Sequence, residues 1–176
     1  MQAALASIAA HGTEKLSLRA PAREAGVSPT APYRHFPSKQ SLLAALAEEG
    51  FHELRARFDA VAAAPHPDLE QRLLALGVAY VEFALEHPTT YELMFGRVLG
   101  DFSPFRSLQE AGEGCYLVLY RILAEGLSPD ASPPLSATRL GGVVWAAVHG
   151  VASLLLYHRG TRISEHPEDP RVSLHS

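Results

Sequence analysis

A chain of 176 residues, 47% hydrophobic and 19% charged, carries enough apolar side chains for a packed core and lies outside the composition of disordered polypeptides. Its net charge of -4 argues against a protein that coats nucleic acid along its whole surface. Residues 1–50 nevertheless hold five Lys or Arg against four Asp or Glu, while residues 51–176 hold ten against fifteen, so only the N-terminal part can approach a phosphate backbone without broad repulsion.

Cys115 is the single cysteine, which excludes an intrachain disulfide and a cysteine-rich metal site and fits a reducing cytoplasm. Nothing at Met1–Leu5 reads as a secretory signal. The apolar run at Leu154–Leu156, bounded by His149 and His158, reads as too short and too polar to span a bilayer, so no membrane role is expected.

In chain order the pattern is helical throughout. The first helix runs from about Gln2 to Ala10, with Leu5, Ile8 and Ala9 on one side, and stops at Gly12, which enters the left-handed region without steric cost. Ser17 is placed to cap a second helix ending at Ala25-Gly26. Ser28 can cap a short third helix, with Pro29 at its first position, where a missing amide proton costs nothing. A long helix begins near Lys39, with Leu43, Leu46, Gly50, Leu54, Phe58 and Val61 on one stripe, and Pro65 and Pro67 close it. Further helices are expected at about Leu69–Glu86, with Leu73, Leu76, Tyr80, Phe83 and Ala84 inward, then at Thr90–Val98, Phe105–Ala124 and Ser136–His158. Beyond Gly160 the periodicity fails, and Pro167 and Pro170 mark a loose tail.

The residues that point to a function lie in the second and third helices. Two short helices separated by Gly26 present the second of them as a protruding rod. The small side chains of Pro29, Thr30 and Ala31 allow close approach to a major groove. Arg19, Tyr33, Arg34, His35 and Lys39 can donate to phosphate oxygens around it, and the helix start behind Ser38 offers backbone amides to another phosphate. Tyr33 and His35 also suit a packing or bracing role, and Lys39 a solvated helix start.

The run Ala22-Arg23-Glu24-Ala25-Gly26-Val27-Ser28, followed by Tyr33-Arg34-His35-Phe36-Pro37-Ser38-Lys39, resembles the helix-turn-helix motif of the TetR family of bacterial transcriptional regulators. On that resemblance Pro29, Thr30, Ala31 and Arg34 fall in or beside the recognition helix, Tyr33, His35 and Lys39 at positions that contact the DNA backbone, and Arg19 near the start of the preceding helix. Pro21 departs from the pattern. With Ser17 as cap it stands at the fourth helical position and loses the first intrahelical bond, at up to roughly 3 kcal/mol. The stretch before His11 is also shorter than the family's first helix and basic arm.

Residues 69–158 read as apolar and amphipathic helices whose aromatic and Met side chains suit an adaptable hydrophobic space. Phe83, Tyr91, Met94, Phe95, Phe102, Phe105, Tyr116, Tyr120, Trp145 and His149 are candidates to line an effector pocket, each with core packing as its alternative. His149 sits one helical turn from Trp145 among Val, Ala and Leu, and a buried imidazole needs a polar partner, from the protein or from a ligand. Trp145-Ala146-Ala147-Val148-His149-Gly150, with Leu93-Met94-Phe95-Gly96, resembles the WHG domain of one TetR-like subfamily. The resemblance implies a homodimer formed by a four-helix bundle and an effector whose binding releases the operator. The family's last helix has a poor counterpart in residues 161–176.

An enzyme is not expected. The nine histidines include no HExxH and no pair at helical spacing, no GxSxG elbow or phosphate loop occurs, and Cys115 reads as a packing residue. No cofactor or metal is called for.

The expectation is therefore an all-α protein with a helix-turn-helix domain over residues 1–46, a ligand-binding and dimerisation domain over 47–160, and a tail over 161–176. It would be a cytoplasmic, homodimeric repressor released from operator DNA by a largely apolar small molecule. The alternative is a DNA-silent ligand-binding or dimerising protein of the same fold.

Overall fold

The computed structural model describes residues 1–14, 16, 36–96, 98–100, 102–127 and 136–161, the last three by their backbone alone. The described residues form six α-helices and no strand. The expected second and third helices and the tail beyond residue 161 lie outside the described residues.

Helix α1 (Gln2–His11) ends at Gly12, whose φ of 76° and amide bond to the Ile8 carbonyl close it as expected. It buries Ala4 and Ile8, with Leu5 partly covered, whereas Ala9 faces solvent. The inner stripe thus runs through position 4 rather than 9.

Helix α2 (Lys39–Ala63) starts with a reciprocal capping box. The Ser38 side chain accepts from the Ser41 amide, and Ser41 Oγ accepts from the Ser38 amide, each at 3.0 Å. The expected stripe from Leu43 to Phe58 is buried, with Val61 half-covered. It is widened by Leu42, Ala44, Ala47 and Phe51, because α2 packs against three other helices, and a helix surrounded in this way is apolar on more than one face.

Helix α3 (Leu69–Glu86) is capped by Asp68 through the Gln71 amide at 2.8 Å. Its Leu76, Tyr80, Phe83 and Ala84 are buried as expected, with Leu73 half-covered. Helix α4 (Pro88–Phe95) begins two residues earlier than the pattern suggested, with Pro88 in its first turn, and ends at an extended Gly96 rather than at Val98. Helix α5 (Arg106–Gly126) buries Leu108, Ala111, Cys115, Val118, Leu119, Ile122 and Leu123 at spacings of three and four.

Helix α6 (Ala137–Thr161) packs on α3 and α5. It turns Trp145, Val148 and His149 inward and leaves Val143, Val151 and Leu154 exposed. Its stretch Ala137–His158 has a mean hydropathy of 1.7, long and apolar enough to cross a membrane by length and composition, with 11% of it buried in the single chain. This corrects the expectation that the region is too short and too polar for that. The helix is longer than the leucine run alone, and the polar His149 is turned into the protein.

α2 is the central element. α5, α4 and α3 all pack on it, and α1 packs on α4. At Gly50 the approach of α2 to α4 is so close that a Cβ would lie 2.5 Å from Thr90 Cγ2 and 2.6 Å from Met94 Sδ.

Candidate effector site and DNA interface

Three helices bring a polar group into the apolar interior. Tyr80 on α3, Tyr91 on α4 and His149 on α6 converge, with the Tyr80 hydroxyl 2.8 Å and the Tyr91 hydroxyl 2.9 Å from His149 Nδ1. The two hydroxyls are 3.4 Å apart, with Tyr80 donating, and Ser153 Oγ lies 3.5 Å from Tyr91. A single ring nitrogen either accepts from the hydroxyls or donates to their oxygens, and the tautomer selects which. Burial pushes the Tyr80 phenol upward and the His149 imidazole downward from their ordinary pKa values, so the group is a neutral network at pH 7. The polar partner required by His149 thus comes from the protein itself.

Around this network the rings interlock. Phe95 lies 4.9 Å from Tyr91, 5.0 Å from His149 and 6.1 Å from Trp145, centroid to centroid. Trp145 also meets Tyr80 at 5.5 Å and Tyr116 at 6.1 Å. Tyr116 in turn donates to the Thr138 carbonyl at 3.1 Å and ties α5 to the start of α6.

Of the pocket candidates, the structure therefore brings Tyr91, Phe95, Tyr116, Trp145 and His149 together. Met94 is buried against Gly50 of α2 instead. Phe83 lies elsewhere, against His87 at 5.2 Å and beneath the Arg57 guanidinium at 5.5 Å, where Arg57 pairs with Glu86 at 2.7 Å and Glu53 at 3.1 Å. Tyr120 is 40% exposed, outside the cluster.

Tyr80 belongs at the centre of the site but was read from the sequence only as core. The missed signal was its hydroxyl, which needs a partner when buried for the same reason that the imidazole does. The space the cluster leaves beside Tyr80 and Trp145 is a cavity of about 10 Å³, which holds a small molecule only if its lining side chains move.

Cys115 is buried, its thiol pushed up to about 12 by burial and donating to the Phe51 carbonyl at 3.2 Å. A thiol held protonated in this way is a poor nucleophile.

On the DNA side, Arg19, Pro29, Thr30, Ala31, Tyr33, Arg34 and His35 lie outside the described residues. Lys39, the first residue of α2, donates from Nζ to the Glu14 carbonyl at 3.4 Å. The Ser41 amide is taken by Ser38, which narrows the expected anion-binding amides to those of Lys39 and Gln40 at the tip.

Two family descriptions match the chain. "Bacterial regulatory proteins, tetR family" covers residues 1–46, and "Tetracyclin repressor-like, C-terminal domain" covers residues 73–175. The chain belongs to the TetR family. Proteins of this family are ligand-responsive, DNA-binding transcriptional repressors, and this chain is a TetR-family transcriptional regulator with a DNA-binding helix-turn-helix domain.

Among solved structures, a protein of unknown function from Rhodococcus sp. RHA1 is similar at 35% identity and a TM-score of 0.75, covering 93% of this chain and 82% of its own. A regulatory protein of the tetR family, also from Rhodococcus RHA1, gives 24% identity and a TM-score of 0.68, with 86% and 80% covered. FadR from Bacillus subtilis, solved with stearoyl-CoA, shares the fold at a TM-score of 0.76 and 16% identity, with 90% and 86% covered. No curated protein sequence matches the TetR-family chain.

Proposed function

We propose that this TetR-family protein is a cytoplasmic repressor that holds its operator as a homodimer and releases it when a largely apolar small molecule enters between α3, α4 and α6. The observation that carries the reading is the Tyr80–Tyr91–His149 network at that junction. α4 brings Tyr91 to the network and, through Thr90 and Met94, meets α2 at Gly50. α2 begins just after its cap Ser38, next in sequence to the recognition segment. A ligand that separates Tyr91 from His149 by shifting α4 would pass that shift to α2 through the close contact at Gly50.

The domain division follows the same logic, with residues 1–46 holding DNA, 47–160 binding the effector and pairing the subunits, and 161–176 a tail. The C-terminal part is of the WHG kind. Trp145, Phe95, Tyr91, Tyr116 and His149 with Tyr80 would meet the ligand, whose apolar character matches the rings and whose polar end would compete for the hydroxyls. Stearoyl-CoA in FadR supports a fold able to take a long apolar ligand.

The pairing surface is the exposed stripe of α6 at Val143, Val151 and Leu154. In the N-terminal part, Thr30 and Arg34 would read bases, with Pro29 and Ala31 letting the rod approach, while Arg19, Tyr33, His35 and Lys39 grip phosphates.

Mobility shifts against the DNA upstream of its own gene, at two salt concentrations, test the reading. Tyr33→Phe or Lys39→Ala should weaken binding to all sequences alike, and Thr30→Ala or Arg34→Ala should change the preference between sequences. Absence of any shift at low salt would instead favour a DNA-silent, ligand-binding protein.

A further inference from the structure

Between α3 and α6 the surface opens into a groove of about 400 Å³, within the roughly 300–1,000 Å³ of small-molecule sites. Leu74, Val78 and Val81 of α3 stand on one wall and Val151 of α6 on the other. Among the described residues that line it, Glu82 is the only charged one. Gly77 and Val148 line this groove and also the small cavity beside Tyr80 and Trp145. A Cβ at position 77 would stand 3.3 Å from Val148 Cγ1, so the valine rests against the bare glycine backbone. These two residues are the partition between the groove and the aromatic interior.

We propose that the effector enters from the α3–α6 groove past Gly77 and Val148, and that it is an elongated apolar molecule whose polar end is uncharged. The inference rests on the effector reading and specifies the route and the ligand class.

Three observations carry it. Because the groove and the cavity share Gly77 and Val148, moving the Val148 side chain joins a space open to solvent with one that touches Tyr80 of the His149 network. Valine in a helix has one strongly preferred rotamer, so the partition is closed at rest and its opening slows entry. The wall from Leu74 to Val81 runs about 10 Å along α3, which fits an elongated body better than a compact one.

The third observation is the charge pattern. No Lys or Arg is among the described residues of the groove, the cavity or the network, and residues 51–176 carry more acidic than basic side chains. A carboxylate buried there would lose its water without gaining a counter-charge. An ammonium would leave the exposed Glu82 behind at the surface. A hydroxyl can replace its lost hydrogen bonds at Tyr80, Tyr91 or His149.

Trp145 lines the cavity and is the chain's only tryptophan, so its fluorescence reports arrival in the interior. Stopped-flow mixing of the whole protein with 4-phenylphenol, and with biphenyl-4-carboxylate as the matched anion, tests both parts. The phenol should bind saturably and the carboxylate at least ~100-fold more weakly, as expected for a buried ion without a partner. Val148→Ala should speed association of the phenol by about 10-fold. Gly77→Ala adds a methyl facing Val148 while favouring the helix, and should slow it. Leu117→Gln on α5, exposed and off the route, should leave the rate unchanged, and circular dichroism checks that each variant is folded.

Equal affinity for the phenol and the carboxylate would overturn the uncharged class while leaving the effector reading in place. Association indifferent to both Val148→Ala and Gly77→Ala would overturn the route, the result expected if a second copy covers the groove. No response of Trp145 to either compound would overturn the inference as a whole. A phenol that binds as expected yet leaves the operator complex intact in mobility shifts would remove release by an effector and leave the route standing.

Discussion

The Tyr91 hydroxyl on α4 stands 2.9 Å from Nδ1 of His149 on α6, and it joins the short helix that rests on α2 to the long apolar helix at the edge of the molecule. Tyr91 is buried, so its hydroxyl has no water to fall back on. Tyr91→Phe keeps the ring packing and removes one member of the network, leaving Tyr80 to satisfy Nδ1. Unfolding in urea should show a loss of about 1 kcal/mol, the usual net worth of one hydrogen bond. Tyr80→Phe/Tyr91→Phe strips His149 of both partners and should cost more than the two single changes added together.

Acidification should weaken the fold through His149. Burial holds its folded pKa below the ordinary 6.5, so between those two values the unfolded chain takes up a proton that the folded chain refuses. The contribution is complete above the unfolded value and is lost as the pH falls below it. Melting temperatures measured from about pH 7.5 down to about 5.5 should decline more steeply for the wild type than for His149→Gln. Parallel curves would show that the imidazole is not the group responsible.

Gly50→Ala sets helix propensity against packing. Alanine is favoured over glycine by about 1 kcal/mol inside a helix, whereas overpacking a tight contact costs about 1–3 kcal/mol. The new Cβ would lie 2.5 Å from Thr90 Cγ2. That methyl belongs to a short β-branched side chain with little freedom to move, so the steric cost wins and the melting temperature should fall. Adding Thr90→Ser removes the methyl and should recover part of the loss. No recovery would mean that the Met94 sulfur, rather than Thr90, sets the limit.

Ser38→Ala removes the acceptor for the Ser41 amide at the start of α2 and leaves the backbone amide of residue 38 to donate to Ser41 Oγ. A loss of about 1 kcal/mol is expected, measured by denaturant unfolding. Ser38→Asp, which restores an acceptor for the Ser41 amide and places negative charge at the positive end of the helix, should recover most of it. Because the cap lies next to the recognition segment, Ser38→Asp should still weaken operator binding by repelling phosphate, which separates its effect on stability from its effect on DNA.

Much of this protein was legible in its residues. Gly12 ends α1, Ser38 stands before α2, and Pro65 and Pro67 follow its end, because caps and breakers act on the few residues beside them. The family motif at 22–39 was equally readable, since it is a local run of residue types. Tyr80 and the Gly50 contact were not, because both acquire meaning only from helices distant in the chain. Phe83 and Tyr120 resembled pocket residues as closely as Phe95 did, since an aromatic ring in an amphipathic helix carries no label for the neighbour it will meet.

Sequence alone determined the helical class, the ends of α1 and α2 and the family, all of which follow from short-range stereochemistry and periodicity. Tertiary structure alone decided which aromatic rings meet, that His149 is held by two tyrosines, and that α3 and α6 carry exposed apolar side chains. The physical reason is that packing is a relation between surfaces. Which face of a helix is covered depends on the helices set against it, and α6, apolar on nearly every side, was left with one face inside the chain and another outside it.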